Sequence, residues 1–209
     1  MLYANYIKRI LDFSSAALLF VATSPAFLVL TIVTRVKIGK PVFFKQIRAG
    51  KNEKPFYIIK FRTMTDERDL DGNLLSDEKR MTEFGSFLRT TSLDELPELI
   101  NIIKGDMSVI GPRPLHPEYS PFYTEYEKKR FDVKGGLIPP DSLDESDIIS
   151  WDRQFQYEAE YAQNVNFASD LKILLSVFSI LRKRKEDNYG SISRPPLNVE
   201  RRGMIEENE

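Results

Sequence analysis

Two adjacent carboxylates, Asp94 and Glu95, follow a run of basic residues in a stretch that ends in a Pro-Arg-Pro turn. The two prolines fix the backbone on both sides of Arg113, and a guanidinium held in this way suits the bidentate recognition of phosphate. Carboxylates beside cations at a helix start favour a diphosphate substrate with Mg²⁺ held between protein and phosphate oxygens. An ordinary capping box, with Ser92 as N-cap and Glu95 reaching back, is the alternative interpretation.

Other basic residues near this stretch are candidates to neutralise phosphate oxygens. Lys60 and Arg62 end a predicted strand, and Arg89 precedes Asp94 by five residues. For each of them a surface or structural ion pair is the alternative. The cationic candidates are therefore Lys60, Arg62, Arg89 and Arg113.

The composition limits the chemistry that the chain can perform. With 209 residues it suits one compact domain plus an appendage, and its net charge of −1 does not indicate nucleic-acid binding. The absence of cysteine excludes thiolate catalysis, and the single histidine, His116, excludes a multi-histidine metal site within one chain. Chemistry must then come from Asp, Glu, Lys, Arg, Ser, Thr and Tyr side chains, and the oxygen ligands among them also suit a hard cation.

An uncharged segment at residues 13–34 predicts membrane attachment. A straight helix of that length would be about 33 Å long, enough to cross a hydrocarbon core. Pro25 lies mid-segment and removes the helical partner of the Val21 carbonyl, which the hydroxyls of Thr23 and Ser24 can replace. Both flanks are positive, and the positive-inside rule then places both ends on the cytoplasmic side. We therefore expect a re-entrant helix broken at Ser24-Pro25, with a single kinked span as the alternative.

The remaining patterns predict a helix-dominated, mixed α/β fold. We expect a membrane anchor at residues 1–37, a catalytic domain at 38–187 and a loosely ordered tail at 188–209. Strands at 42–47 and 56–61 would form a β-hairpin, and residues 65–80 a polar loop. Helices are predicted at 83–90, at 96–104 up to Gly105, and after Pro117 at 118–131, with a strand-like run at 107–110.

A further helix is predicted at residues 170–185, where five apolar residues share one stripe. Core packing is the default interpretation of that stripe. The basic end of this helix favours the alternative of an interfacial amphipathic helix on anionic headgroups. The stripe consists of Leu171, Leu174, Leu175, Phe178 and Leu181.

Three stretches resemble the bacterial sugar transferase family, and within it the small monotopic phosphoglycosyl transferases. They are "KFRTM" at residues 60–64, "LRTTSLDELPELINIIKGDMSVIGPRPL" at residues 88–115, and the leading apolar segment with Ser24-Pro25. The similarity runs from about residue 6 to residue 133 and resumes from residue 150 to about residue 181. The length of the central motif argues against chance similarity.

The resemblance implies transfer of a phospho-sugar from a UDP-sugar to undecaprenyl (polyprenol) phosphate, with release of UMP and a requirement for Mg²⁺. It implies that Asp94 is the nucleophile that becomes a phospho-aspartate. Glu95 would be its partner, either as a Mg²⁺ ligand or as a proton acceptor, and Arg113 the arginine of the Pro-Arg-Pro motif. Weaker candidates at family positions are Asn101, Glu118 and Glu158.

The resemblance also implies a location and partners. A monotopic enzyme of this class would lie in membrane lipids at the cytoplasmic face of the bacterial inner membrane. There it would meet the soluble donor and the lipid acceptor, and would begin the assembly of a membrane glycoconjugate. Downstream glycosyltransferases are further expected partners.

One loop departs from the family pattern. Gly135-Gly136 and Ile138-Pro139 replace the usual Pro-Gly and Thr-Gly, the following Gln and Arg are absent, and Glu158 stands where an Asp is usual. Such a loop would cover the sugar or the nucleotide, so the change bears on donor specificity. The alternative hypothesis is a catalytically silent membrane-bound scaffold that binds a nucleotide sugar or a partner glycosyltransferase.

Overall fold

The computed structural model describes residues 2–144, 146, 148–186 and 194–202, except for the side chains of 178–186. The helices are α1 (Lys8–Lys37), α2 (Asp77–Arg80), α3 (Glu83–Thr90), α4 (Glu98–Lys104), α5 (Trp151–Gln163), α6 (Phe167–Glu186) and α7 (Leu197–Glu200). The strands are β1 (Phe43–Ala49), β2 (Pro55–Phe61), β3 (Ser108–Ile110) and β4 (Gly136–Ile138). The helix-dominated, mixed α/β class predicted from the sequence is confirmed.

Helix α1 runs without interruption through Pro25. Because Pro25 has no N–H, the carbonyl of Val21 loses its helical partner. Ser24 donates its hydroxyl to that carbonyl at 2.7 Å, and Thr23 donates to the carbonyl of Leu19 at 2.7 Å. The predicted replacement of the lost bond by a neighbouring hydroxyl is confirmed. The segment is one helix, so a hairpin of two helical arms is not confirmed.

The first turns of α1 are tied to the rest of the chain by polar contacts. Lys8 Nζ lies 2.7 Å from an Asp170 carboxylate oxygen on α6. Arg9 donates at 2.6 and 2.8 Å to the carbonyls of Ile102 and Ile103 in the last turn of α4, and the Ile102 carbonyl also accepts from the N–H of Gly105. Asp12 accepts a hydrogen bond of 3.0 Å from the backbone N–H of Val109 on β3. These bonds fix the helix against three separate elements.

The later turns of α1 pack through apolar side chains, while the opposite face stays exposed. Ala16 and Leu30 are buried in two apolar clusters, and Thr34 is fully buried near the end of the helix. By length and composition the helical segment Tyr3–Lys37 could cross a membrane, and 11% of its most apolar window is buried. The exposed apolar residues include Leu18, Leu19, Val21, Leu28, Val29, Ile32 and Val36.

Two small sheets flank α4. Strands β1 and β2 form the predicted antiparallel hairpin, in register from Phe43 opposite Phe61 to Ala49 opposite Pro55. Strands β3 and β4 pair in parallel. Helix α3 has the bounds predicted for it, and Gly105 ends α4 with a φ of 94°, a left-handed conformation that favours glycine.

The predicted helix at 118–131 is wrong, because the structure has two 3₁₀ turns there, at Pro117–Phe122 and Glu127–Asp132. Pro121 lies inside the first turn and is incompatible with a regular α-helix at that point. Tyr123 and Phe131 nevertheless pack with Trp151 and Phe155 of α5 in one apolar cluster.

The core-packing interpretation of the α6 stripe is wrong for its described members. Leu171, Leu174 and Leu175 are exposed, whereas Ile173 is 2% exposed and packs against the domain. The side chains of Phe178 and Leu181 lie outside the described residues. Periodicity identified an apolar stripe but not the face that packs, and the interfacial alternative stays a prediction.

Residues 194–202 differ from the expected loosely ordered tail. Leu197 of α7 is fully buried in the cluster of Trp151 and Phe155. Arg201 donates to both carboxylate oxygens of Glu127 at 2.7 Å. Residues 188–193 and 203–209, the rest of the predicted tail, lie outside the described residues.

Candidate active site

Asp94 and Glu95 lie in the 3₁₀ turn Leu93–Glu95 that leads into α4. Ser92 precedes this turn with a φ of 56°, a left-handed conformation, and makes no side-chain capping hydrogen bond. The capping-box interpretation is therefore wrong. The regular helix begins after Pro97, where the fixed φ of proline is compatible with a helix start.

The Asp94 carboxylate is largely withdrawn from water. It is 9% exposed, and burial raises its pKa, with a further increase from Glu95 and an opposing effect of Lys60 and Arg89. A desolvated carboxylate is more basic and less shielded by water than one at the surface. Both properties suit a nucleophile that attacks phosphorus.

Lys60 joins the carboxylates into one charged cluster. Its Nζ lies 2.6 Å from Glu95 Oε1 and 3.2 Å from Glu98 Oε1. The guanidinium of Arg113 reaches the same oxygen of Glu95 at 3.4 Å. The structure thus brings together three predicted residues, Lys60, Glu95 and Arg113, from β2, the 3₁₀ turn and the Pro-Arg-Pro turn.

Glu98 belongs to this cluster and was missed by the sequence analysis. Its side chain is 3% exposed, and burial raises its pKa to about 7. The contact with Lys60 is an ion pair without hydrogen-bond geometry, so the buried Oε1 has no hydrogen-bond partner. The available signal was its spacing of four residues from Asp94, which would place both carboxylates on one face of the helix predicted to open at that pair.

The backbone of Arg113 is held by a buried ion pair behind the site. Its N–H donates to Glu158 Oε1 at 2.9 Å, and its carbonyl accepts from Arg130 at 2.6 Å. Arg130 and Glu158 bond to each other at 2.7 Å with side chains that are 1% and 0% exposed. Glu158, a weaker site candidate, is therefore a positioning residue, and Arg130 is a second one that the sequence did not indicate.

Two glycines allow the Pro-Arg-Pro turn to approach β4. A Cβ on Gly136 would lie 2.1 Å from the backbone nitrogen of Gly111, and a Cβ on Gly111 would lie 2.4 Å from the carbonyl oxygen of Lys134. The N–H of Gly136 donates to the carbonyl of Pro112 at 2.9 Å. Although Gly135-Gly136 departs from the usual Pro-Gly, its second residue is still the glycine that this close contact requires.

Two other predicted residues have structural roles in the described chain. Arg62 is 7% exposed and donates to the carbonyls of Met64 and Lys40, with an ion pair to Asp66. Asn101 is 1% exposed and joins α4 to β2, accepting from Ile59 N–H and donating to the carbonyl of Tyr57. The polar groups of both residues are engaged by neighbouring segments. Neither residue lines the cleft described below.

Arg89 and Glu118 lie at the edge of the site. Arg89 is exposed, donates to the Thr63 hydroxyl at 3.2 Å and opposes the increase in the pKa of Asp94. Glu118 is exposed and does not line the cleft. The structure thus places Arg89, but not Glu118, within electrostatic reach of Asp94.

A cleft of about 240 Å³ opens beside the charged cluster. His116, to which the sequence analysis assigned no role, lies in its wall, and burial followed by the charge of Arg48 lowers the pKa of His116. Arg48 also lines the cleft and was not predicted. The lining residues are Arg48, Ile58, Lys60, Glu95, Glu98, Arg113, Pro114, Leu115, His116, Tyr119, Gly136, Leu137 and Trp151.

The donor set at this cluster fits a phosphate-bound Mg²⁺. Among the described residues, no group of three or more His, Cys, Asp or Glu is arranged to hold a metal ion by itself. Mg²⁺ in phosphate-transfer sites usually takes one or two carboxylates and completes its shell with water and substrate phosphate. Asp94 and Glu95 are the residues that would supply such a pair, and Glu98 Oε1, which lies 3.2 Å from Lys60 Nζ, is a further buried carboxylate oxygen.

Fold and site together define a protein with a long apolar helix and a cleft lined by cations and carboxylates. The family model for bacterial sugar transferases matches residues 3–184. The chain belongs to the bacterial sugar transferase family.

Curated relatives agree with this assignment. The uncharacterized sugar transferase EpsL of Bacillus subtilis (strain 168) is 48% identical over 84% of this chain and 87% of its own length. The exopolysaccharide production protein ExoY of Sinorhizobium fredii (strain NBRC 101917 / NGR234) is 31% identical, over 80% of this chain and 81% of its own length. A UDP-glucose:undecaprenyl-phosphate glucose-1-phosphate transferase of Klebsiella pneumoniae is 34% identical over 82% of this chain. The match spans 39% of the Klebsiella protein's length.

Proposed function

We propose that this chain is a sugar-1-phosphate transferase that moves a phospho-sugar from a UDP-sugar to undecaprenyl phosphate or a similar polyprenol phosphate. The observation that carries the proposal is the buried Asp94, which is not itself in the cleft wall but directly precedes Glu95, and Glu95 lines the cleft with Lys60 and Arg113. The names of several relatives, which act on UDP-glucose and undecaprenyl phosphate, support the substrate classes.

The proposed reaction has two displacements at phosphorus. A carboxylate oxygen of Asp94 attacks the phosphorus that bears the sugar, and the bond from this phosphorus to the bridging oxygen breaks. UMP leaves with that oxygen and its electron pair. A phosphate oxygen of the polyprenol phosphate then attacks the phospho-aspartate, which forms the lipid diphosphate sugar and returns the Asp94 carboxylate.

The cluster side chains neutralise charge during both displacements. Lys60 and Arg113 present cations to the phosphate oxygens and reduce their repulsion of the Asp94 carboxylate. Mg²⁺, when bound, would supply further charge neutralisation, with Asp94 and Glu95 as the residues to hold it. Glu95 contacts both Lys60 and Arg113 and so also orients the two cations.

Packing of α1 supports a re-entrant arrangement over a span. Lys8 near its start and Thr34 near its end are both buried against the same domain. Because a domain on one side of a bilayer cannot bury both ends of a spanning helix, the two ends belong on one side. We propose that the exposed apolar face of α1 lies in lipid at the cytoplasmic face of the inner membrane, where the domain also meets downstream glycosyltransferases.

The test is nucleotide release by detergent-solubilised protein. With UDP-glucose, Mg²⁺ and undecaprenyl phosphate, the wild type should release UMP, whereas Asp94→Asn should release none. Omission of the acceptor should leave a phospho-sugar adduct on the Asp94 peptide, detectable by mass spectrometry. Asp132→Asn, which changes an exposed aspartate, is the matched control and should retain activity. Near-normal turnover by Asp94→Asn would exclude the covalent scheme, and a wild type inactive with every UDP-sugar would favour a scaffold.

A further inference from the structure

Arg48 on β1 is a half-buried cation that lines the cleft without a carboxylate partner. Its terminal nitrogen donates to Gln46 Oε1 at 2.5 Å, whereas its buried Nε has no hydrogen-bond partner. It forms no ion pair within 4.0 Å among the described residues. Burial, and then the charge of Arg113, lowers the pKa of Arg48. An anionic ligand in the cleft would give this half-buried charge the counter-charge that the described residues do not place in contact with it.

The register of the hairpin gives Arg48 and Lys60 a common face. Lys60 pairs with Phe44, and Arg48 lies four residues farther along the same strand as Phe44. Because side chains alternate between faces, the two cations point to the same side about 13 Å apart along the strand. Ile58 lies between them and also lines the cleft. The cleft therefore has a cation at each end of its hairpin wall.

The segment after Arg113 follows the same direction. Arg113 contacts Glu95 at the Lys60 end, and the Ala49 N–H next to Arg48 donates to the carbonyl of Leu115 at 2.9 Å. This bond brings the neighbouring His116 to the Arg48 end. The rings of His116 and Tyr119 are 5.9 Å apart, and both residues line the cleft. The end away from the carboxylates thus combines a cation with aromatic rings.

We propose that Arg48 binds the phosphate that leaves with the nucleoside, and that His116 and Tyr119 border the nucleoside itself. The inference rests on the proposed function, which places the sugar-bearing phosphate at Asp94. When the bridging bond breaks, negative charge accumulates on the departing nucleoside monophosphate. The Arg48 guanidinium offers that phosphate a positive charge and its terminal N–H donors, and a phosphate next to aromatic rings suits a nucleotide better than a lipid chain.

The experiment measures dissociation constants by ligand-observed NMR on the full chain in detergent micelles. The probes are UMP, uridine and a short-chain polyprenyl phosphate, and the variants are Arg48→Ala and Arg48→Lys. Lys45→Ala is the matched control, because Lys45 is exposed on the opposite face of the same strand. Loss of a charge-assisted hydrogen bond should weaken UMP binding by about tenfold or more in Arg48→Ala. Arg48→Lys should be intermediate, and uridine and polyprenyl phosphate binding should not change.

Three results would overturn the assignment of Arg48. They are unchanged UMP binding in Arg48→Ala, an equal loss for UMP and uridine, and a loss confined to the polyprenyl phosphate. The equal loss would mean that the residue only supports the cleft wall, and the third would mean that it serves the acceptor. A wild type that neither binds UMP nor releases it from any UDP-sugar would instead refute the proposed function, and the Arg48 assignment with it.

Discussion

The buried carboxyl group of Glu98 should make the free energy of unfolding depend on pH. Burial raises its pKa from 4.5 to about 7. Between these values the native state binds more protons at this group than the unfolded state, so the contribution of Glu98 to stability falls as the pH rises. Each pH unit between the two values corresponds to about 1.4 kcal/mol. The stabilising contribution of Glu98 therefore decreases by about 3 kcal/mol in total and is fully lost just above pH 7.

The perturbation is Glu98→Gln, which keeps the shape of the side chain and removes its titration. The free energy of unfolding, measured by denaturant titration in detergent between pH 4 and pH 8.5, is compared with that of the wild type. The difference, variant minus wild type, should rise by about 3 kcal/mol from the acid end to pH 8.

Glu125→Gln is the control for this measurement. The Glu125 side chain is 89% exposed, so the same chemical change should alter the free energy of unfolding by no more than about 1 kcal/mol. A constant difference for Glu98→Gln, or one that falls as the pH rises, would mean that the native state does not hold the proton and that the reasoning from burial is incorrect.

Two more substitutions test the supports of the cleft by denaturant unfolding. Glu158→Gln leaves the Arg130 guanidinium buried without its carboxylate, so it should lower the free energy of unfolding by about 3–5 kcal/mol. The control Glu160→Gln, on the exposed side of α5, should have little effect. Equal effects of the two substitutions would contradict the buried pair. Leu197→Ala should lower the free energy of unfolding by about 2–5 kcal/mol, because the Leu197 side chain is fully buried. Val199→Ala, which changes an exposed side chain, should lower it far less. An unchanged stability of Leu197→Ala would mean that residues 194–202 do not pack as described.

Local features were predictable from the sequence because short-range physics determines them. The bounds of α3, the hairpin of β1 and β2, and the end of α4 at Gly105 follow from caps, alternation and turn chemistry. The bond from Ser24 to the Val21 carbonyl likewise depends only on the proline that follows. The family resemblance also predicted that Lys60, Glu95 and Arg113 share one site. Similarity to a family carries information on long-range contacts, which periodicity lacks.

Residues whose roles depend on distant partners were not predictable. Arg130 and Glu158 are 28 positions apart, and nothing in either local pattern indicates that they meet behind Arg113. The side of α6 that packs is set by the contact of Asp170 with Lys8, which is 162 positions away. A stripe of leucines therefore identified a helix but not its orientation.

Helix α1 is joined to the candidate active site by hydrogen bonds. Asp12 of α1 bonds to the backbone N–H of Val109 and to the Ser108 hydroxyl, both on β3. Strand β3 leads through Gly111 into the Pro-Arg-Pro turn, so the helix and Arg113 are joined by a short, hydrogen-bonded path. Any shift of α1 relative to the domain must break these bonds or move the turn with it. If α1 lies in lipid as proposed, its depth would therefore set the height of the cleft above the bilayer.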